Sequence, residues 1–151
     1  MSETPEYMIV ENDILLKEVG RLLSEGHEVI LMTKGSSMHP FIIGEKDSVA
    51  LQKRPELNLR DVVLAQVRKG VYVLHRIIAI DGDELTLMGD GNLCGVEKCR
   101  REDVAGTAVA IIKSSGKRCS IPSGKLWLKI QPSLRRYFLA AYRRIFIKFA
   151  R

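Results

Sequence analysis

The sequence is short of cysteine, of long apolar runs and, over residues 133–151, of any acid. Each shortage excludes something. Three cysteines, Cys94, Cys99 and Cys119, are too few and odd in number to staple a disulfide framework. Four residues separate Cys94 from Cys99 and no histidine stands beside them, so a zinc site is disfavoured and free, partly buried thiols are expected. No stretch approaches the roughly 18 apolar residues that a spanning helix needs. The start, from Met1 to Tyr7, is acidic and polar and lacks the apolar segment of a signal peptide. The cytoplasm is therefore the expected compartment. Internal repeats and low-complexity tracts are also lacking.

What is present is enough for one ordinary domain. The chain has 151 residues, 46% hydrophobic and 28% charged, a balance that suits a folded core and not a disordered segment. At this length about 68–70% of the unfolded surface is buried on folding, so no metal or disulfide staple is required, and no cofactor is implied. The formal charge of +6 is unevenly placed. Arg135, Arg136, Arg143, Arg144, Lys148 and Arg151 account for all of it, because residues 1–132 carry 18 bases and 18 acids. A domain-wide nucleic-acid surface is disfavoured by that neutrality. It is also disfavoured because no aromatics interleave with bases in the middle of the chain, as single-strand binding needs.

Periodicity divides the chain. Residues 12–25 read as a helix, with Ile14, Leu15, Val19, Leu22 and Leu23 on one side, Asn12 or Asp13 as cap and Gly26 as terminator. Short β-type runs follow at 29–32, 47–52, 61–67, 71–80, 84–88 and 104–113, punctuated by Arg68-Lys69-Gly70 and Asp81-Gly82-Asp83. This pattern predicts a mainly β barrel or sandwich behind one helix. Residues 114–126 read as a loop. The tail reads as an amphipathic basic helix starting at Pro132-Ser133, with Ser133 as N-cap. Leu134, Phe138, Ala141, Ile145 and Phe149 form its apolar face, and Arg136, Arg143, Arg144 and Arg151 lie opposite. The expected units are an N-terminal helical extension (1–27), a β domain (28–126) and the C-terminal helix (127–151).

The densest chemical signal is Lys34-Gly35-Ser36-Ser37-Met38-His39-Pro40. A glycine before serine in a turn lets the backbone bend and present the hydroxyl, and Pro40 fixes the exit. A serine hydroxyl is a poor nucleophile near neutral pH and needs a base. Two later elements stand in order behind it: Val73-Leu74-His75-Arg76-Ile77-Ile78 and Leu87-Met88-Gly89-Asp90-Gly91-Asn92. This trio resembles the signal peptidase superfamily of serine peptidases, which includes the LexA-type self-cleaving repressors. It is most similar to the archaeal and endoplasmic-reticulum branch, where His-Arg replaces Lys-Arg and a Gly-Asp-Asn-Asn segment follows. The likeness covers about residues 30–112.

That resemblance implies a LexA/signal-peptidase-like, mainly β, barrel-type domain and peptide-bond hydrolysis through an acyl-enzyme. It makes Ser37 the nucleophile, His75 the general base and Asp90 the carboxylate that orients His75. The Ser37 backbone N–H, with Ser36, would form the oxyanion hole, since Gly35 stands where several signal peptidases carry a serine. The family's further Asp has no Asp counterpart in Leu93-Cys94-Gly95-Val96-Glu97, and the usual N-terminal membrane anchor is not seen. Met38 is expected to pack, His39 to be an exposed turn residue and His27 to sit at a helix end.

The implied substrate is an extended peptide or protein laid along a strand edge. Two other readings stand beside the peptidase: a non-catalytic peptide-binding module on the same fold, and a self-cleaving regulator. The tail helix has two expected uses, docking on the β body or lying on an anionic membrane surface at its inner face through 133–151. Nucleic acid is not an expected partner, and the oligomeric state is left open.

Overall fold

A computed structural model describes residues 12–92 and 95–147. Helix α1, Asn12–Ser24, is ended by Gly26 at φ +91°. The Gly26 N–H donates to Leu23 O and the His27 N–H to Leu22 O, the two bonds of a Schellman cap. Val19 and Leu23 are buried, with Leu15 and Leu16 beside them. Ile14, expected on this face, is exposed, because the buried arc is centred on Leu15, Leu16, Val19 and Leu23 and turns Ile14 outward.

Among the described residues eight strands follow: β1 Val29–Met32, β2 Ser48–Gln52, β3 Val62–Arg68, β4 Val71–Asp81, β5 Glu84–Met88, β6 Glu97–Arg100, β7 Val104–Ile112 and β8 Arg118–Cys119. They form one antiparallel sheet ordered β1-β2-β7-β3-β4-β5-β6, with β8 paired to β7. The expected mainly β architecture is present. Closure into a barrel is not shown: among the described residues β1 and β6 end the pairing path and do not pair with each other. Register shifts at Ala50/Leu51, Leu64/Ala65 and Ile77/Ala79 bend the sheet, as extra residues in a ladder do.

The two faces of the sheet carry two cores. Along β3, Val62 and Leu64 join Val19, Leu23, Met38, Ile42, Val49, Leu51, Ala108 and Ile111. Val63 and Ala65 point the other way, into Ile77, Leu85, Leu87, Cys99 and Val104. The unbroken apolar run Val62-Val63-Leu64-Ala65 is what a strand covered on both faces requires. Gly106 on β7 admits α1 closely, since a Cβ there would lie 2.8 Å from Leu23 Cδ1.

Two segments differ from the sequence reading. The expected loop 114–126 contains β8, which exists only through its register with β7, Ile111 opposite Cys119. It also holds the first residues of α2, Lys125–Lys129. Strand β6, Glu-Lys-Cys-Arg, has charge at three of four positions and buries only Cys99, so little period-two signal marks it.

The tail forms α3, Pro132–Tyr142, and a π-helical turn, Arg143–Ile147. Gln131 occupies the N-cap position expected of Ser133, with Pro132 in the first turn, where its missing N–H costs nothing. The buried positions are Arg135 and Leu139, with Tyr142 partly buried. The expected apolar face, Leu134, Phe138, Ala141 and Ile145, is exposed; Lys148, Phe149 and Arg151 lie outside the described residues. At 3.6 residues per turn the docked positions lie about a third of a turn round from that face.

Candidate active site

Ser37 lies in residues 33–47, the connection between β1 and β2. The base of this loop is locked. Thr33 Oγ1 donates to Asp47 O at 2.8 Å, and the buried Asp47 carboxylate accepts from the Ile43 N–H at 2.9 Å and Lys113 Nζ at 3.0 Å. Gly44 backs directly on Gly35, where a Cβ would lie 2.1 Å from the Gly35 carbonyl oxygen. Met38 and Ile42 anchor the loop in the first core. Between these fixed points the His39 N–H donates to Ser36 O and the Ile42 N–H to Met38 O, turning the chain sharply at Ser37. Ser37 is partly buried, and its N–H makes no hydrogen bond among the described residues.

His75 sits on β4, the residue before Arg76. Arg76 pairs with Met88, the last residue of β5. The intervening strand therefore stops one register step short of His75, and a side chain from β6 can reach across the gap. Glu97, the first residue of β6, does so: its Oε2 lies 2.9 Å from His75 Nδ1. The ring is buried while the carboxylate is about one-third exposed. With Nδ1–H donating to Glu97, Nε2 is left as the acceptor.

Nε2 faces the serine loop through Gly89. A Cβ on Gly89 would lie 3.1 Å from His75 Nε2 and 2.3 Å from the Ser37 carbonyl oxygen. Those two atoms are thus no farther apart than the sum of the two distances. Any side chain at position 89 would push them apart, so glycine here permits the approach. The Gly91 N–H then ties the same Ser37 oxygen at 2.8 Å. No hydrogen bond joins Ser37 Oγ to His75 among the described side chains.

The carboxylate on His75 is Glu97 and not Asp90, the residue expected there. Asp90 instead binds Arg76 through both oxygens, Nε to Oδ1 and Nη2 to Oδ2 at 2.8 Å each, with both side chains only 1% exposed. Alternation along β4 is the physical reason: neighbours on a strand point to opposite faces, so the one carboxylate at position 90, turned to Arg76, does not also serve the His75 ring. Arg76 Nη1 also donates to Arg60 O and Pro122 O, at 2.8 and 2.9 Å. The guanidinium lies 5.7 Å from the Phe41 ring centre, and Trp127 Nε1 donates to Asp90 O at 2.8 Å. Gly124 closes the cage, since a Cβ there would lie 2.9 Å from Arg76 Cζ. Arg76 and Asp90 thereby pin β4, the 89–92 turn and the C-terminal segment together beneath the Ser37 loop.

The remaining residues fall as follows. Ser36 is exposed, and its Oγ lies 3.5 Å from Arg143 Nη2. Met38 is buried in the core. His39 is buried, contrary to the expected exposed turn, because Tyr142 of α3 covers it edge-on at 6.0 Å between ring centres. Its Nδ1 has no hydrogen-bond partner among the described residues, and burial, with Arg143 nearby, holds its pKa below the ordinary imidazole value. His27 is exposed just past α1. Cys99 and Cys119 are free thiols, Cys94 lies outside the described residues, and burial pushes the Cys99 pKa up to about 11. Among the described residues no group of His, Cys, Asp and Glu has the geometry to hold a metal, and no helix is long and apolar enough to cross a membrane.

Glu97 is the site residue that sequence reasoning missed. A carboxylate a few residues beyond the Gly-Asp-Gly-Asn turn was the available signal. Neither a protein-family model nor a curated protein matches the chain.

Proposed function

We propose that the chain is a serine peptidase resembling the signal peptidases, with Ser37 as nucleophile, His75 as general base and Glu97 as the carboxylate that orients it. One observation carries this reading: His75 is held at Nδ1 by Glu97 at 2.9 Å while Nε2 meets, at Gly89, the turn that presents Ser37. The carboxylate fixes the tautomer and stabilises the imidazolium that forms when the base takes a proton.

The reaction follows from that geometry. Ser37 Oγ attacks the scissile carbonyl carbon as its proton passes to His75 Nε2. The carbonyl π electrons move to oxygen, which meets the unpaired Ser37 N–H; one such donor is worth about 3–4 kcal/mol. Collapse expels the amine, which takes the proton from His75 and leaves an acyl-Ser37 ester. Water, deprotonated by His75, then releases the acid and restores the hydroxyl. The extended substrate pairs with β1, whose outer side is unpaired among the described residues and which runs directly into the Ser37 loop. The mainly β body is read as a signal-peptidase-like fold.

Labelling by a fluorophosphonate probe tests the proposal. Wild type should label, and Ser37→Ala and His75→Gln should not. Equal labelling of wild type and Ser37→Ala would sink it. The second reading, a peptide-binding module, is favoured by the lack of a Ser37–His75 hydrogen bond among the described residues. It predicts an unlabelled wild type that still binds extended peptides. Catalytic hydrogen bonds often close only with substrate bound, which is why the peptidase reading stands first.

A further inference from the structure

We propose that the C-terminal arm, α2 with α3 and its π turn, is a docking surface for an anionic lipid bilayer. This goes beyond the peptidase reading and does not depend on it. Leu126, Leu134, Tyr137, Phe138 and Ile145 are each 51–79% exposed. On α3 Leu134, Tyr137 and Phe138 recur at helical spacing and Ile145 follows in the π turn, separate from the docked positions Arg135, Leu139 and Tyr142. Large apolar side chains clustered in this way on a single chain mark an interaction face.

Charge decides what the face meets. No acid occurs after Asp103, whereas eleven bases do. Lys125, Lys129, Arg136, Arg143 and Arg144 are exposed on the arm itself. A second copy of the same face would bring bases against bases with no carboxylate to pair them. A bare polyanion would satisfy the arginines and leave Leu134, Phe138 and Ile145 in water. An anionic bilayer satisfies both, with acyl chains for the apolar arc, headgroups for the bases and an interfacial position for Tyr137. Each base near such a surface strengthens partitioning about fivefold. The docked side of α3, about a third of a turn round from that face, rests on His39, and Arg143 of the π turn reaches Ser36, so the arm would bring the Ser37 loop close to the bilayer.

Co-sedimentation of the full chain with vesicles tests this. One set is phosphatidylcholine alone and the other phosphatidylcholine with phosphatidylserine at about three to one. Wild type should pellet with the second set, more weakly as salt rises, and stay in solution with the first. Leu134→Ser with Phe138→Ser, and separately Arg136→Gln with Arg144→Gln, alter only exposed positions. Each pair should weaken partitioning at least about tenfold at unchanged circular dichroism. Failure to pellet, equal binding to both vesicle sets, or loss on the arginine pair alone would overturn the proposal. So would a dimer, by light scattering, that the Leu134/Phe138 pair dissociates.

Discussion

Removing the Asp90 carboxylate should cost this protein about 3–5 kcal/mol, because it strands a charge that water cannot reach. In wild type, Asp90 satisfies Arg76 Nε and Nη2, and both side chains are 1% exposed. In Asp90→Ala those two donors lose their acceptor. The remaining acceptors, Arg60 O and Pro122 O, serve only Nη1. Two charged donors left unpaired at about 1–3 kcal/mol each reach the quoted range. For a chain of this size that is a melting-temperature drop of about 6–20 °C. Arg76→Met should also destabilise, since it leaves a buried carboxylate. The double variant Arg76→Met with Asp90→Ala removes both charges, so it should be less destabilised than the sum of the singles by about 2–3 kcal/mol. Urea unfolding of the four proteins measures the cycle. The reasoning fails if Asp90→Ala costs less than about 1 kcal/mol, or if the singles add to within about 0.5 kcal/mol.

Other outcomes follow from the same geometry. Glu97→Gln should lower the probe-labelling rate by about 10^3–10^4 with little change in melting temperature, because Glu97 touches His75 and is not part of a core; an unchanged rate would remove Glu97 from the site. His39 titrates near 6.5 when unfolded and lower when folded. Between those values the unfolded chain binds more protons, so this contribution is full above pH 6.5 and is lost as pH falls through the folded value. His39→Gln should therefore flatten the decline in stability as pH falls below about 6.5, read as the difference between parallel wild-type and variant urea series. Cys99, buried with its pKa raised to about 11, should resist iodoacetamide at about pH 8 until the chain is unfolded in urea. Rapid alkylation of native Cys99, located by peptide mapping, would contradict its burial.

Much was legible in the sequence because it is local. The α1 periodicity with Gly26, the apolar run of β3 and the turns at Lys69-Gly70 and Gly82-Asp83 each act within a few residues. Such short-range rules place the β class of the fold, the bend that presents Ser37 and the strand that carries His75. The site's carboxylate was not legible in this way. Asp90 and Glu97 both follow His75 in the chain, and no local rule says which one meets the ring. Where β5 stops and which way successive residues of β4 point decide it: Glu97 goes to His75 and Asp90 to Arg76.

The same division runs through the tail. Composition alone placed a basic, apolar helix at the C-terminus, since helical spacing and the lack of acid are properties of the chain. Which face it buries is a property of the surface it meets. Tyr142 over His39 and the buried Leu139 turn the helix so that Arg135 faces inward and Leu134, Phe138 and Ile145 face water. Local propensity and patterning determined which segments become helix or strand. Packing between distant segments decided which charges pair, which histidine is buried and which apolar face is left exposed, because those choices depend on neighbours tens of residues away in the chain.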